Sequence, residues 1–296
     1  MFSSYFGILG SSTIFASCYV DSLWTGQILT VLANNWYNLL MFCSIIIPTL
    51  NEEKFIGGLL DDLAAQTFTD FEVIHVDGNS EDKTCEIVAT FQSKLKVKTI
   101  KTDKRNLSFQ RNLGASSAQG DYLFFIDADT RIDEEDFLSC IKTSSASKHL
   151  MYLPKVKVLN EDPALQTVFS FFNQAVKTSQ MFSLPIPTGG LAIFERHFFN
   201  HIGGYAINKN HDVKKLFAED QEILKRAKKA GVTGKYIDHT SYIFSLRRFE
   251  REGWLRVFPK ILMSVIEQSV GRQLVQSKYE MGGHLYDEKD LVEKHE

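Results

Sequence analysis

From Phe42 onward, short apolar runs alternate with stretches whose apolar residues return every third or fourth position, a pattern of strands alternating with helices. Ser44-Ile-Ile-Ile47 is β-branched and closes at Pro48, as a buried strand does. Asn51 is placed to cap a helix carrying Phe55, Ile56, Leu59, Leu60 and Leu63. Phe71 to Val76 reads as a second strand, and Ser80 as the cap of a helix carrying Ile87, Val88 and Phe91. Leu95 to Ile100, with lysines alternating outward, reads as an edge strand. A helix from Ser108 to Ser117 leads into Tyr122-Leu-Phe-Phe-Ile126, an unbroken apolar run expected of a strand buried on both faces. Short crossovers between like strands imply a parallel, doubly wound α/β sheet with helices on both faces.

Beyond Asp133 the expected elements are a helix to Ile141, a strand from Met151 to Val158 and a helix from Leu165 to Val176. Pro185, Pro187, Gly189 and Gly190 mark a loop before the apolar Leu191–Phe194, and Glu219 to Ala230 forms a helix closed by Gly231. Residues 254–270 again carry apolar groups at helical spacing, with Pro259 kinking or starting that segment. No internal repeat or low-complexity linker divides the chain.

The first forty residues stand apart. Asp21 is the only charge before Asn51, polar residues interrupt every apolar run before it reaches spanning length, and no positive segment precedes them as in a secretory signal. Met41 then opens directly into the first strand. The expected division is a non-essential extension over 1–40, a main domain over 41–250, and a C-terminal helix and tail over 251–296.

Composition narrows the class. The 296 residues are 44% hydrophobic and 23% charged, enough for one large α/β domain, and a net charge of −3 carries no nucleic-acid footprint. Cys18, Cys43, Cys85 and Cys140 form no Cys-x-x-Cys, which points to reduced thiols in a cytoplasmic protein.

Candidate chemistry gathers in the loops that follow the strands, where open α/β sheets bind ligands. Asp127-Ala-Asp129 ends the buried run, and two carboxylates so close repel unless a divalent cation or a shared proton relieves them. Asp77 directly follows the second strand, placed to accept bonds from a nucleobase or ribose. Arg111 suits a phosphate or a base edge, although a surface salt bridge is its plainer role. Glu219-Asp220 opens a helix, where acids are favoured by the dipole alone.

Taken together, Ser44-Ile-Ile-Ile-Pro-Thr-Leu-Asn-Glu-Glu53, Val76-Asp-Gly-Asn-Ser-Glu-Asp-Lys-Thr84, Arg111-Asn-Leu-Gly-Ala115 and Gly120-Asp-Tyr-Leu-Phe-Phe-Ile-Asp-Ala-Asp-Thr130 resemble the family two glycosyltransferases of the GT-A fold, in order and in spacing. The resemblance covers about Phe42 to Arg248. It implies a transferase that moves a sugar from a nucleotide-sugar donor to an acceptor hydroxyl with inversion, in a setting such as cell-envelope polysaccharide synthesis. Pro48, Thr49, Leu50 and Glu52 are then expected to line the nucleotide and Asp77 to bond its base edge. Arg111 and Asp127 are expected at the ribose, with Gly189 and Gly190 shaping the sugar and acceptor pocket. Asp127 and Asp129 are the expected ligands of Mn²⁺ or Mg²⁺ at the diphosphate, and Asp220 the base. The acceptor stays open; a lipid-linked sugar and a polysaccharide are both compatible.

Two departures from the family pattern stand out. Gly78 follows Asp77 where many members carry a second aspartate, and no Gln-x-x-Arg-Trp signature of processive synthases is present. Ser245-Leu-Arg-Arg-Phe249 occupies that region, so Arg247 or Arg248 is in reach of the pyrophosphate, and Arg248 completes the expected binding set. His284 near the C-terminus reads more readily as a surface residue than as a metal ligand. Trp254, Leu255, Phe258, Ile261 and Leu262 with nearby arginines suit either packing against the core or peripheral contact with a membrane's inner face. Two alternatives remain. One is a haloacid-dehalogenase-type phosphatase using Asp127 and Asp129; the other is a nucleotide-sugar-binding subunit without catalysis.

Overall fold

The structure, a computed structural model, describes residues 42–145, 149–159, 162–182, 185–207 and 218–253. The readings for residues 1–40, for 254–270 and for His284 lie outside the described residues.

Seven strands among these residues form one sheet: β1 (Cys43–Thr49), β2 (Phe71–Asp77), β3 (Val97–Lys101), β4 (Tyr122–Ile126), β5 (Met151–Lys157), β6 (Leu191–Glu195) and β7 (Lys235–Ile243), in the order β3-β2-β1-β4-β6-β5-β7. β3, β2, β1 and β4 run parallel, as the short crossovers require. β6 alone is reversed against both neighbours, while β5 and β7 are again parallel. Its reversal places the start of β6 beside the carboxyl end of β4. The glycine loop before β6 therefore meets the Asp127 turn, and the Asp127 amide donates to the Gly190 carbonyl at 2.9 Å.

The α-helices among the described residues are α1 (Ile56–Ala64), α2 (Thr84–Thr90), α3 (Leu107–Ser117), α4 (Phe137–Ser145), α5 (Pro163–Ser179), α6 (Arg196–His201), α7 (Ala218–Lys229) and α8 (Arg247–Glu252). Alternation along β1 divides the core between the two faces of the sheet. Ile45 and Ile47 pack with Ile56, Leu59 and Leu60 of α1, whereas Ile46 packs with Phe125, Phe199 and Ile223.

Local signals near loops are resolved differently from their sequence reading. Asn51 is not a helix cap: it sits at φ 55°, its side chain accepts from the Glu81 amide at 2.8 Å, and its amide donates to Ser80 Oγ at 2.9 Å. Both polar groups tie the loop after β1 to the loop after β2, so Ser80 does not cap either. Phe55 precedes α1 with no side-chain cap, and Asp82 accepts from the Thr84 amide at the start of α2. The helix expected from Asp133 begins at Phe137, because Asp133 and Glu134 are held by Lys157 at 2.7 and 3.2 Å. Gly231, at φ 81°, ends α7 as expected.

Candidate active site

α3 carries the pivotal side chain. Asn106 caps it by accepting from the Phe109 amide, and Gly114 lets it press onto the sheet, since a Cβ there would lie 2.4 Å from Ile46 Cγ2. That close approach carries Arg111 under the carboxyl edge with only 3% of its side chain exposed. Its Nη2 donates to Asp127 Oδ1 at 2.8 Å, and its Nη1 donates to Asp220 Oδ1 at 2.9 Å, with Glu219 Oε1 at 3.9 Å. A surface salt bridge is thereby excluded for Arg111. Burial disfavours its charge, but Asp220 and Asp127 outweigh that and hold its proton more firmly than usual. Burial raises the Asp127 carboxyl, with Arg111 opposing. Glu219 is likewise pushed up by burial and by the charge of Asp220 beside it.

A second guanidinium closes the other side. Arg247, at the first position of α8, grips Glu52 through Nη1 at 2.7 Å and Nη2 at 3.1 Å, while its Nε lies 2.7 Å from Asp129 Oδ2. Burial pushes Glu52 up to about 7 against the pull of Arg247. Of the two neighbouring arginines, Arg247 reaches the carboxylates; the Arg248 side chain lies outside the described residues.

The residues expected at the nucleotide are held more tightly than the sequence alone indicates. Pro48, Thr49 and Leu50 are buried. Thr49 Oγ1 lies 2.8 Å from His75 Nε2 and donates to Asp77 Oδ1 at 3.3 Å, and the Ser80 amide donates to Asp77 Oδ2 at 3.1 Å. Burial raises the Asp77 carboxyl, but bonds from Ser80 and Cys85 prevail and hold it below the usual carboxylate range. Gly78 has a steric reason: a Cβ there would stand 2.3 Å from Gln110 Nε2. The Gln110 side chain fills the space that a second acidic side chain would need.

Gly189 and Gly190, at φ 72° and 70°, turn the chain into β6 in a conformation that side-chain-bearing residues rarely adopt. Tyr242 donates to the Gly189 carbonyl, fastening this loop to β7. With Thr188, Arg111, Asp220 and Tyr205 they line a cleft over the end of β4. Tyr205 escapes sequence reasoning, although two glycines before an aromatic residue, upstream of an acidic pair, mark a turn that presents it.

The model of glycosyl transferase family 2 matches residues 44–203, more than half of the chain. The chain belongs to this family. It is 34% identical over 134 residues to the poly(ribitol-phosphate) beta-N-acetylglucosaminyltransferase TarS of Staphylococcus aureus, a match covering 44% of this chain and 23% of that protein. It is 38% identical over 98 residues to a PGL/p-HBAD biosynthesis glycosyltransferase of Mycobacterium tuberculosis, covering 32% of this chain and 38% of the relative. The chain thus spans well under half the length of these curated relatives. Among solved structures, the mannosyltransferase PcManGT of Pyrobaculum calidifontis, in complex with GDP-Man and Mn2+, superposes with a TM-score of 0.61 at 17% identity, over 85% of this chain and 74% of that one. TarS of S. aureus in complex with UDP-GlcNAc gives 0.51 at 21% identity, over 80% and 68%. The fold is that of the GT-A glycosyltransferases: a mostly parallel sheet flanked by helices. Family membership also separates the chain from the phosphatase alternative.

In this glycosyltransferase family 2 chain, Asp127 and Asp129 are hard oxygen donors one residue apart, each already facing a cation. Among the described residues no cluster of three or more His, Cys, Asp or Glu makes a metal cage. Two carboxylates fit an Mg²⁺- or Mn²⁺-sized ion that takes its other ligands from phosphates and water.

Proposed function

We propose that this protein transfers a sugar from a nucleoside diphosphate sugar to an acceptor hydroxyl with inversion at the anomeric carbon. The observation that carries this reading is the Arg111 bridge between Asp127, at the end of β4, and Asp220, at the start of α7. It brings a carboxylate suited to the diphosphate side and one suited to a proton within the span of a single guanidinium.

Asp220 accepts the proton of the acceptor hydroxyl while that oxygen attacks the anomeric carbon and the bond to the diphosphate breaks, its electron pair leaving with the phosphate. Arg111 orients the Asp220 carboxylate for that transfer. Asp127 and Asp129 hold Mn²⁺ or Mg²⁺, which when bound offsets charge on the diphosphate. Arg247 exchanges its hold on Asp129 for the pyrophosphate. Thr49 and Asp77 form the floor of the nucleotide pocket, with Pro48, Leu50 and Glu52 supporting it, and Gly189 and Gly190 keep side chains out of the sugar's path.

UDP-GlcNAc and GDP-mannose, bound in the solved complexes of TarS and PcManGT, are the first donors to try. The acceptor is a hydroxyl compound such as a lipid-linked sugar or polysaccharide. No helix among the described residues is long and apolar enough to cross a membrane, and Cys43, Cys85 and Cys140 are free thiols. Both suit a cytoplasmic enzyme, with any peripheral membrane contact falling on residues 254–270.

Calorimetry with UDP, GDP, dTDP and CDP, with and without Mn²⁺, tests the reading in the wild type and Asp129→Ala. Metal-dependent binding of one diphosphate, lost in the variant, supports it. Absence of binding to all four overturns it, and tight donor binding without turnover restores the non-catalytic alternative.

A further inference from the structure

Tyr205 is the group in the cleft whose chemistry the transfer reaction leaves unused. Its ring is fixed from every side. Phe125 meets it edge-on at 5.1 Å, Phe199 packs against it at 5.8 Å, and the Arg111 guanidinium lies over its face at 5.0 Å. Its backbone is clamped as well: Asn112 Oδ1 accepts from the Tyr205 amide at 2.8 Å, and Asn112 Nδ2 donates to the Tyr205 carbonyl at 2.7 Å. Gly204, at φ 64°, permits that clamp, since a Cβ there would lie 2.7 Å from Asn112 Oδ1. A phenylalanine would satisfy every one of these contacts.

The hydroxyl is what distinguishes tyrosine here, and it is buried with no hydrogen-bond partner among the described residues, in a side chain only 1% exposed. Buried hydroxyls are nearly always bonded because an unmade bond costs free energy, so this one calls for a partner from outside the chain. Tyr205 lines the cleft together with Asp220, Gly189 and Gly190, and Phe125, Leu153, Leu191 and Phe194 supply apolar walls. The diphosphate side is served by Asp127, Asp129 and Arg247; the cleft beside Asp220 is where the transferred sugar meets the base.

We propose that the Tyr205 hydroxyl hydrogen-bonds a hydroxyl of the donor's hexose and fixes that sugar's orientation against Asp220. The proposal rests on the glycosyl-transfer reading and adds a specificity-determining residue to it. Tyr205 acts on the sugar and not on the nucleotide, so its signature is a split between two ligands that share a nucleotide.

The test is calorimetry in the presence of Mn²⁺ with UDP against UDP-GlcNAc and GDP against GDP-mannose, in the wild type and Tyr205→Phe, with urea unfolding of both proteins. In the pair the wild type binds, the diphosphate alone should bind the variant as before, within about twofold, while the nucleotide sugar weakens about tenfold, the worth of one hydrogen bond. The urea midpoint of Tyr205→Phe should equal or exceed that of the wild type, because the hydroxyl makes no bond among the described residues. Equal weakening of both ligands, an unchanged nucleotide sugar, or a lower midpoint overturns the proposal. Where the wild type binds dTDP or CDP instead, the same comparison is made with that diphosphate and its nucleotide sugar. Wild type that binds none of the four overturns the donor reading itself, before the variant is considered.

Discussion

Arg111 and Asp220 lie 109 residues apart in the chain and meet at 2.9 Å, nitrogen to oxygen, in the interior of the site. The same guanidinium holds Asp127 at 2.8 Å, so one buried cation balances the acids of two distant elements. Removing it strands them. Arg111→Met should lose about 3–5 kcal/mol of stability near neutral pH, the usual consequence of leaving buried charges unpaired. Burial already raises the Asp127 and Glu219 carboxyls, and loss of the opposing Arg111 charge raises them further, so the folded variant binds more protons. Its deficit relative to wild type should shrink as the pH falls toward 5, read from urea midpoints of both proteins. A deficit independent of pH would separate the loss from these carboxylates.

His75 gives a pH dependence of another origin. Its ring is 1% exposed between Thr49 Oγ1 and Thr99 Oγ1, and burial depresses it from 6.5 to about 4. The folded form is therefore neutral, while the unfolded chain takes up a proton below about 6.5. Stability is lost as the pH drops from about 6.5 toward 4, by roughly 3 kcal/mol over the full interval. His75→Gln should remove this component, and parallel pH profiles for the two proteins would refute it.

Gly114 sets the height of α3 over the sheet. Alanine is favoured over glycine by about 1 kcal/mol in an open helix. Here its Cβ would lie 2.4 Å from Ile46 Cγ2 and 3.2 Å from Val76 Cγ2. Gly114→Ala should therefore destabilise by about 1–3 kcal/mol, as overpacked cores do. A stabilised variant in thermal unfolding would show that α3 is free to lift.

Arg247 Nε lies 2.7 Å from Asp129 Oδ2, so a divalent ion held by Asp129 as proposed would have to displace it. Arg247→Met should bind Mn²⁺ about tenfold more tightly in calorimetry without nucleotide, the worth of one charge-assisted bond removed. Unchanged or weaker Mn²⁺ binding would remove Asp129 from the metal site.

Much of this molecule is legible in its residues, for identifiable reasons. β1, β2 and β4 announce themselves because burial on both faces favours apolar runs, and β3 because an edge strand alternates apolar residues with lysines. Asp77, Asp127 and Asp129 stand out as acids at or just beyond buried strand ends. Asn51 and Ser80 misread as caps because the same side chains serve equally well to tie two loops, and only the fold decides between these roles. The reversal of β6 is invisible in Leu191–Phe194, since strand direction leaves no trace in an apolar run. The Arg111 and Arg247 bridges are long-range pairings: the types of the residues are suggestive, but their partners follow only from how α3, α7 and α8 converge on the sheet edge. Tyr205 is hidden for a related reason, because its distinguishing feature is a missing bond.

Asp220 is the group proposed to take the proton in glycosyl transfer, and this role has a direct measurement. It is tested most directly by release of nucleoside diphosphate from the donor that binds, in the wild type and Asp220→Asn, with donor affinity measured on the same samples. Turnover should fall roughly 10²–10⁴-fold in the variant while donor affinity stays within about threefold, as expected for loss of a general base. Turnover close to that of wild type with the donor bound would contradict the account and assign the proton to another group.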